Sequence, residues 1–169
     1  MTKNFLTKCK FSIFSTAVIS LLSLAEARAQ VPLGDFDGDG SSDLSVTLVD
    51  RSAKTTAWLV RPTSGAAPLF YQFDIAADAL VSGKYFGDSK TYPGLVFVRS
   101  ASRPLEWYIR NNLGTNTLVY FGIPGDTVTN QADMDCDGVT DFTVVRNGTS
   151  TNFPGSKLWF SSVSSGGGG

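Results

Sequence analysis

The 169-residue chain contains no histidine, and that absence removes several chemistries at once. Imidazole-based zinc sites, Ser-His-Asp triads and Cys-His dyads all require a ring nitrogen that this chain does not have. Cysteine is nearly absent as well, with only Cys9 and Cys136. Cys9 lies in a segment with the marks of an export signal, so the mature chain is expected to keep one thiol and no internal disulfide. Charged residues make up only 17% of the chain. The basic ones are scattered, without a run or a stripe, which argues against nucleic acid as a partner. A run long enough to cross a bilayer is also missing: the apolar stretch from Phe11 to Leu24 is 14 residues long and broken by serine and threonine.

That stretch follows Lys3, Lys8 and Lys10 and precedes "AEARA" (Ala25 to Ala29), small residues at the spacing a signal peptidase reads. Residues 1–29 are therefore read as a signal peptide cut after Ala29, with Ala27 as the second choice. The mature protein is expected to be secreted, free outside the cell or held at its surface, with no membrane span. Removing Lys3, Lys8, Lys10, Arg28 and Glu26 leaves 10 basic against 14 acidic residues, so the net charge moves from -1 to -4. Eight of those 14 acids fall in two short stretches. The remaining composition, 42% hydrophobic and 12% aromatic, suits one domain with a real core. A secreted domain of this kind without a disulfide needs another staple.

The two acidic stretches are copies. "DFDGDGSSDLSV" from Asp35 aligns without gaps on "DMDCDGVTDFTV" from Asp133, an offset of 98 residues that suggests two units of 49. The middle unit belongs near residue 84, where "GKYFGDSKTYPGLVFV" from Gly83 keeps the outline. Trp58, Trp107 and Trp159 recur at spacings of 49 and 52. "LFYQFDIAAD" from Leu69 matches "LVYFGIPGD" from Leu118, with Asp78 falling on Asp126. The repeat divides residues 30–163 into units of about 31–74, 75–122 and 123–163, followed by a Gly/Ser-rich tail or linker, 164–169.

Each unit reads as strands. "LSVTLV", "TAWLVR", "LFYQF", "LVFVR", "LEWYIR", "TLVYF", "FTVVR" and "KLWFS" are short, rich in β-branched and aromatic residues, and bounded by Gly, Pro, Asn or Asp. No mature segment of ten or more residues has a helical period. Four antiparallel strands in about 49 residues is the size of a β-propeller blade, so the fold class is all-β with about three such blades. The recurring tryptophans are then packing residues on inner strands.

The acidic stretches have the form Asp-x-Asp-x-Asp-Gly-x-x-Asp. Alternation lets a tight loop turn Asp35, Asp37 and Asp39 toward one point, and Gly40 supplies a bend that only glycine adopts cheaply. Ser41 would add its backbone carbonyl, and Asp43 closes the group from the start of the next strand. The second loop repeats the scheme with Asp133, Asp135, Asp137, the Val139 carbonyl and Asp141. Several hard oxygen ligands on a flexible loop suit Ca²⁺, at two sites, better than Mg²⁺ with its stiff octahedron. An EF-hand is excluded because its twelfth position, which needs a bidentate Glu, is Val46 or Val144 here. In the middle unit Lys84 and Phe86 replace the first two aspartates and only Asp88 remains, so the Lys84 ammonium is expected to stand in for part of the cation's charge. Cys136, where the first loop has Gly38, is expected to point away from the metal, because a soft thiol is a poor ligand for calcium.

The blade pattern, with "GDFDGDGSSD", "DMDCDGVTD" and "FGIPGD" (Phe121 to Asp126), resembles the FG-GAP/VCBS repeat family, whose members form integrin-α-like β-propellers. The similarity covers residues 31 to 163. It implies Ca²⁺ on the loop between the first two strands of a blade, at Asp35, Asp37, Asp39, Ser41 and Asp43 and at Asp133, Asp135, Asp137, Val139 and Asp141. It also implies a secreted or surface module for adhesion or ligand binding, with an extracellular protein or glycan as partner. Three units, the third one strand short, are fewer than a closed propeller has. Further blades or self-association would then close the ring. No catalytic residue is assigned. The alternatives are a lectin-like module, with Tyr92, Tyr108 and Tyr120 stacking on sugars, and part of a glycan-degrading enzyme. For the latter, Glu106 is the one glutamate left after the signal, while the recurrence of Asp78 and Asp126 points to turns.

Overall fold

A computed structural model describes residues 34–111, 113–149 and 154–163. The signal segment 1–29 and the tail 164–169 lie outside the described residues. Ten strands and no helix make up the described chain: β1 (Leu44–Asp50), β2 (Thr55–Arg61), β3 (Leu69–Phe73), β4 (Ala79–Gly83), β5 (Tyr92–Phe97), β6 (Glu106–Arg110), β7 (Asn116–Tyr120), β8 (Thr127–Val128), β9 (Phe142–Asn147) and β10 (Lys157–Ser162). All pairings are antiparallel, in three sheets ordered β1-β2-β3, β4-β5-β6-β7 and β8-β9-β10. All eight segments expected as strands are strands. β4 ("ALVSG") and β8 ("TV") were not anticipated, because Ala, Ser and Gly are poor strand formers. Their pairing with β5 and β9 overrides that preference.

The three sheets hold three, four and three strands among the described residues, and they do not close on one another. Four strands per unit is thus met in full only by the middle sheet. In the first, anything ahead of Gly34 is outside the described residues; in the third, β10 is the outermost described strand.

Register fixes which side chains share a face. Trp58 lies opposite Thr47, Trp107 opposite Val96, and Trp159 opposite Val145. One face of the first sheet (Trp58, Val60, Phe73) packs with Phe36 and Ala77 on Leu95, Phe97 and Tyr108 of the middle sheet. The opposite face of the middle sheet (Val81, Val96, Trp107, Ile109) packs on Phe142 and Val144 of the third. The middle sheet is therefore buried on both sides, which explains the unbroken burial of β5 from Tyr92 to Val96. Gly94 is required there: a Cβ at this position would lie 2.5 Å from Ile109 Cδ1 and 2.9 Å from Val81 Cγ2. Trp107 is fully buried, donates from Nε1 to the Phe121 carbonyl at 2.8 Å, and meets Phe142 edge-on at 5.4 Å between ring centroids.

The packing role expected of all three tryptophans holds for Trp58 and Trp107 only. Trp159 is 59% exposed. It sits on the edge strand of the third sheet, on the face turned away from the middle sheet, so no further sheet covers it among the described residues. Trp107→Ala is expected to cost about 3–5 kcal/mol, and Trp159→Ala less than about 1 kcal/mol in the isolated chain. Urea unfolding of both variants at low protein concentration checks the contrast.

Candidate metal centre

Three loops lie side by side along one end of the stacked sheets, and backbone bonds set their positions. Each is closed by the same pair. Asp43 N–H donates to the Gly34 carbonyl at 3.0 Å, Asp141 N–H donates to the Ala132 carbonyl at 2.6 Å, and Gly83 pairs with Tyr92 in the middle loop. Neighbouring loops are fastened at one register. Thr91 N–H donates to the Asp35 carbonyl at 2.6 Å, and 49 residues on Thr140 N–H donates to the Lys84 carbonyl at 3.0 Å.

Within the acidic loops the same bonds recur 98 residues apart. The first aspartate caps its own loop: Asp35 accepts from Asp39 N–H (3.1 Å) and Gly40 N–H (3.0 Å), as Asp133 accepts from Asp137 N–H (3.1 Å) and Gly138 N–H (3.0 Å). Asp35 also accepts from Gly38 N–H at 2.6 Å. The third aspartate holds the residue two further on, Asp39 with Ser41 N–H (2.7 Å) and Asp137 with Val139 N–H (2.8 Å). The last reaches back to the second position, Asp43 to Phe36 N–H (2.8 Å) and Asp141 to Met134 N–H (2.7 Å). Gly40 and Gly138 take φ of 89° and 86°, the left-handed bend anticipated for this position. Cys136 takes φ 61° where Gly38 takes 83°, and it is exposed.

This backbone gathers carboxylates. Asp35, Asp37 and Asp39 each bring one oxygen into a group within 4.8 Å of one another, and so do Asp133, Asp135 and Asp141. Asp43 is outside the first group, its second oxygen taken by Thr63 N–H at 2.9 Å, and Asp137 is outside the second. Ser41 and Val139 are fixed through their N–H groups beside the clusters. Two like charges at this separation repel by about 1 kcal/mol in bulk water and about 3–4 kcal/mol near a protein surface. No described Lys or Arg forms an ion pair with the four aspartates of the first loop. The Ser64 hydroxyl, which donates to Asp37 Oδ2, holds the Asp37 carboxyl below its ordinary range, and Lys90 of the neighbouring loop adds a weaker pull. The residues present fit a divalent oxygen-loving cation: clustered carboxylates with lone pairs to spare on a loop already folded around one point.

The middle loop is held differently from the expectation for Lys84. Among the described residues no ion pair involves its ammonium; its backbone instead bridges to Thr140, with Lys84 N–H donating to Thr140 Oγ1 at 2.9 Å. Tyr92 occupies the position of the fourth aspartate, and its hydroxyl donates to Asp88 at 2.5 Å. Phe86 packs edge-on against Tyr92, with centroids 4.6 Å apart. Asp88 also accepts from Lys90 N–H at 3.0 Å, as Asp39 and Asp137 accept from the residues two further on, so an aromatic pair and two bonds to Asp88 close this loop where its neighbours present carboxylates.

Glu106 is buried and fully engaged. Arg99 grips both its oxygens, at 2.7 and 2.9 Å, and Tyr108 donates at 2.7 Å. The Arg99 bonds hold the Glu106 carboxyl below its usual range, with a further contribution from Tyr108 against the opposing effect of burial. Asp126 is gripped likewise by Arg146 and also accepts from Ile123 N–H, a turn contact, while Asp78 accepts from Val98 N–H. Of the three tyrosines considered for sugar stacking, Tyr120 is exposed, Tyr92 is buried and Tyr108 is bound to Glu106. Arg99, Arg146, Thr91 and Thr140 were not singled out from sequence; the arginines ending "LVFVR" and "FTVVR" were the available signal. No protein-family model matches the chain, nor does a curated protein or a solved structure.

A carboxyl whose folded pKa is depressed adds stability that is present above its unfolded value and is lost as pH falls through the folded one. For Glu106 the loss begins near the ordinary glutamate pKa, about 4.3, and continues below it. Glu106→Gln is expected to cost about 1–2 kcal/mol at pH 7, kept low because Arg99 is half exposed. The gap to wild type should close as pH drops below that value. Urea midpoints of both proteins across this range read it out.

Proposed function

We propose that the chain is a secreted, calcium-stabilised repeat module of the FG-GAP/VCBS kind, built from β-propeller-type blades and serving adhesion or ligand binding without catalysis. The observation that carries this reading is the recurrence, 98 residues apart, of one loop geometry with three carboxylates drawn within 4.8 Å. Three antiparallel sheets that stack through tryptophan-bearing faces, each inside one repeat unit, support the blade reading. Asp35, Asp37 and Asp39 would hold one ion and Asp133, Asp135 and Asp141 the other, with Ser41, Asp43, Asp137 and Val139 completing the sets. When bound, Ca²⁺ supplies charge neutralisation: two ions bring +4 to a mature chain of net charge -4. The ion acts as a staple in a domain without a disulfide.

The non-catalytic reading is supported by the state of Glu106. A general acid in glycoside hydrolysis needs a raised pKa and a free proton, and Glu106 is instead a buried, ionised carboxylate held by the half-exposed Arg99. A protein surface is favoured over a sugar-stacking site as partner, because two of the three candidate tyrosines are withdrawn into packing.

With dissociation constants on the order of 10⁻⁴ M and millimolar calcium, each site adds about 1–2 kcal/mol. Chelation is then expected to lower Tm by about 5 °C or more. Asp35→Asn and Asp133→Asn should each remove part of that shift, and Mg²⁺ should not restore it. A melt that is the same with calcium and with chelator, together with no heat of calcium binding by calorimetry, refutes the proposal.

A further inference from the structure

The two interfaces inside the chain are one interface used twice. In each, the tryptophan face of the earlier sheet, Trp58 or Trp107, meets the alternate face of the later one, Leu95 or Val144. Register makes the equivalence explicit: Val46, Leu95 and Val144 each precede the residue paired with their sheet's tryptophan. Leu95 and Val144 are both 0% exposed, whereas Val46 is 70% exposed. Leu48, Leu59 and Phe70 are open on the same outer face of the first sheet. At the other end of the stack Trp159 is 59% exposed, although its counterparts Trp58 and Trp107 are 7% and 0% exposed. Among the described residues the stack therefore ends in two different unpartnered faces. They are the two halves of the interface it already uses.

We propose that a second copy of this chain covers them, docking the Trp159 face of one copy on the Val46–Leu59 face of the other, head to tail. The occupant follows from continuity: each copy carries the complement of its own exposed end, in the register the internal interfaces already use. Leucine, valine and phenylalanine clustered on one sheet face form an apolar patch of the sort that marks an association surface. A heterologous contact of this type either closes into a ring or runs on as a filament. The described residues of two copies carry six sheets, within the four to eight blades of a closed propeller. The contact rests on the stacking of the sheets and not on the calcium reading, so it is measured both with calcium and with chelator.

Sedimentation of the purified protein is expected to give a species of at least twice the chain mass that dissociates on dilution. Val46→Lys and Trp159→Lys, each blocking one end, should be monomeric alone, and an equimolar mixture should recover a heterodimer through its one intact pair of faces. Both sites are exposed, so far-UV circular dichroism should match wild type. Leu59→Lys and Trp159→Ser test the same faces if either lysine variant fails to fold. Growth beyond the dimer supports the same contact in open form. A wild type that stays monomeric, a single variant that associates like wild type, or a mixture that stays monomeric overturns the proposal.

Discussion

The structure depends on the burial of both faces of the middle sheet. β5 has no solvent side: Leu95 points into one core and Val96 into the other, and Gly94 lets β5 sit tight against Ile109 and Val81. A sheet with two apolar faces is stable only between two others, so the first and third sheets are held in place by what the middle one must hide. Everything else follows that alignment. With strands stacked in register, the loops ahead of β1, β5 and β9 fall at one end, and the Asp35–Thr91 and Lys84–Thr140 backbone bonds fasten them there.

Within the loops the aspartates are placed by local bonds. The Asp35 carbonyl accepts from the neighbouring loop, while the side chains of Asp35 and Asp133 both face back into their own loops and accept the N–H groups of the fifth and sixth positions. Capping by the first, third and last aspartates leaves few loop conformations available, and it draws carboxylates together at a cost in repulsion. A purely local turn would satisfy the N–H groups with one or two such residues. Crowding a third oxygen within 4.8 Å in both copies goes beyond what such a turn needs, and under the calcium reading a bound cation would offset the repulsion.

Much of this was legible in the sequence, and the failures share a cause. The repeat, eight of the ten strands and the glycine bends could be read because each is a local pattern: alternation, turn residues, a φ only glycine takes cheaply. β4 escaped because "ALVSG" has little strand character of its own, and β8 because "TV", though β-branched, is too short to show a pattern; both become strands through their partners. Trp159 matched Trp58 and Trp107 by spacing but not by burial, since burial depends on a neighbouring sheet rather than on the residue. Lys84 invites a reading through its charge, whereas its backbone makes the contacts, and Tyr92, a candidate only for sugar stacking by sequence, closes the loop. The Arg99–Glu106 pair went unread because only the arginine recurs: the residue ahead of the tryptophan is Glu106 in one unit but Ala57 and Leu158 in the others.

The contrast among the three loops follows from their places in the stack. The middle loop has a neighbour on each side: Thr91 donates to the first loop, Lys84 accepts from the third, and Phe86 and Tyr92 fill its interior. Each acidic loop has a neighbour on one side only among the described residues. A loop fastened twice keeps its shape with an aromatic pair and two hydrogen bonds to Asp88. A loop fastened once relies on ties within itself, and the acidic loops carry them as aspartate caps on their own N–H groups, so a strong local tie is worth most there. Carboxylates that bind a divalent ion provide such a tie, and a closed ring, by giving every loop two neighbours, would lower the dependence on it. A bound ion and a docked neighbouring sheet would thus stabilise the same loops, and either one would weaken the need for the other.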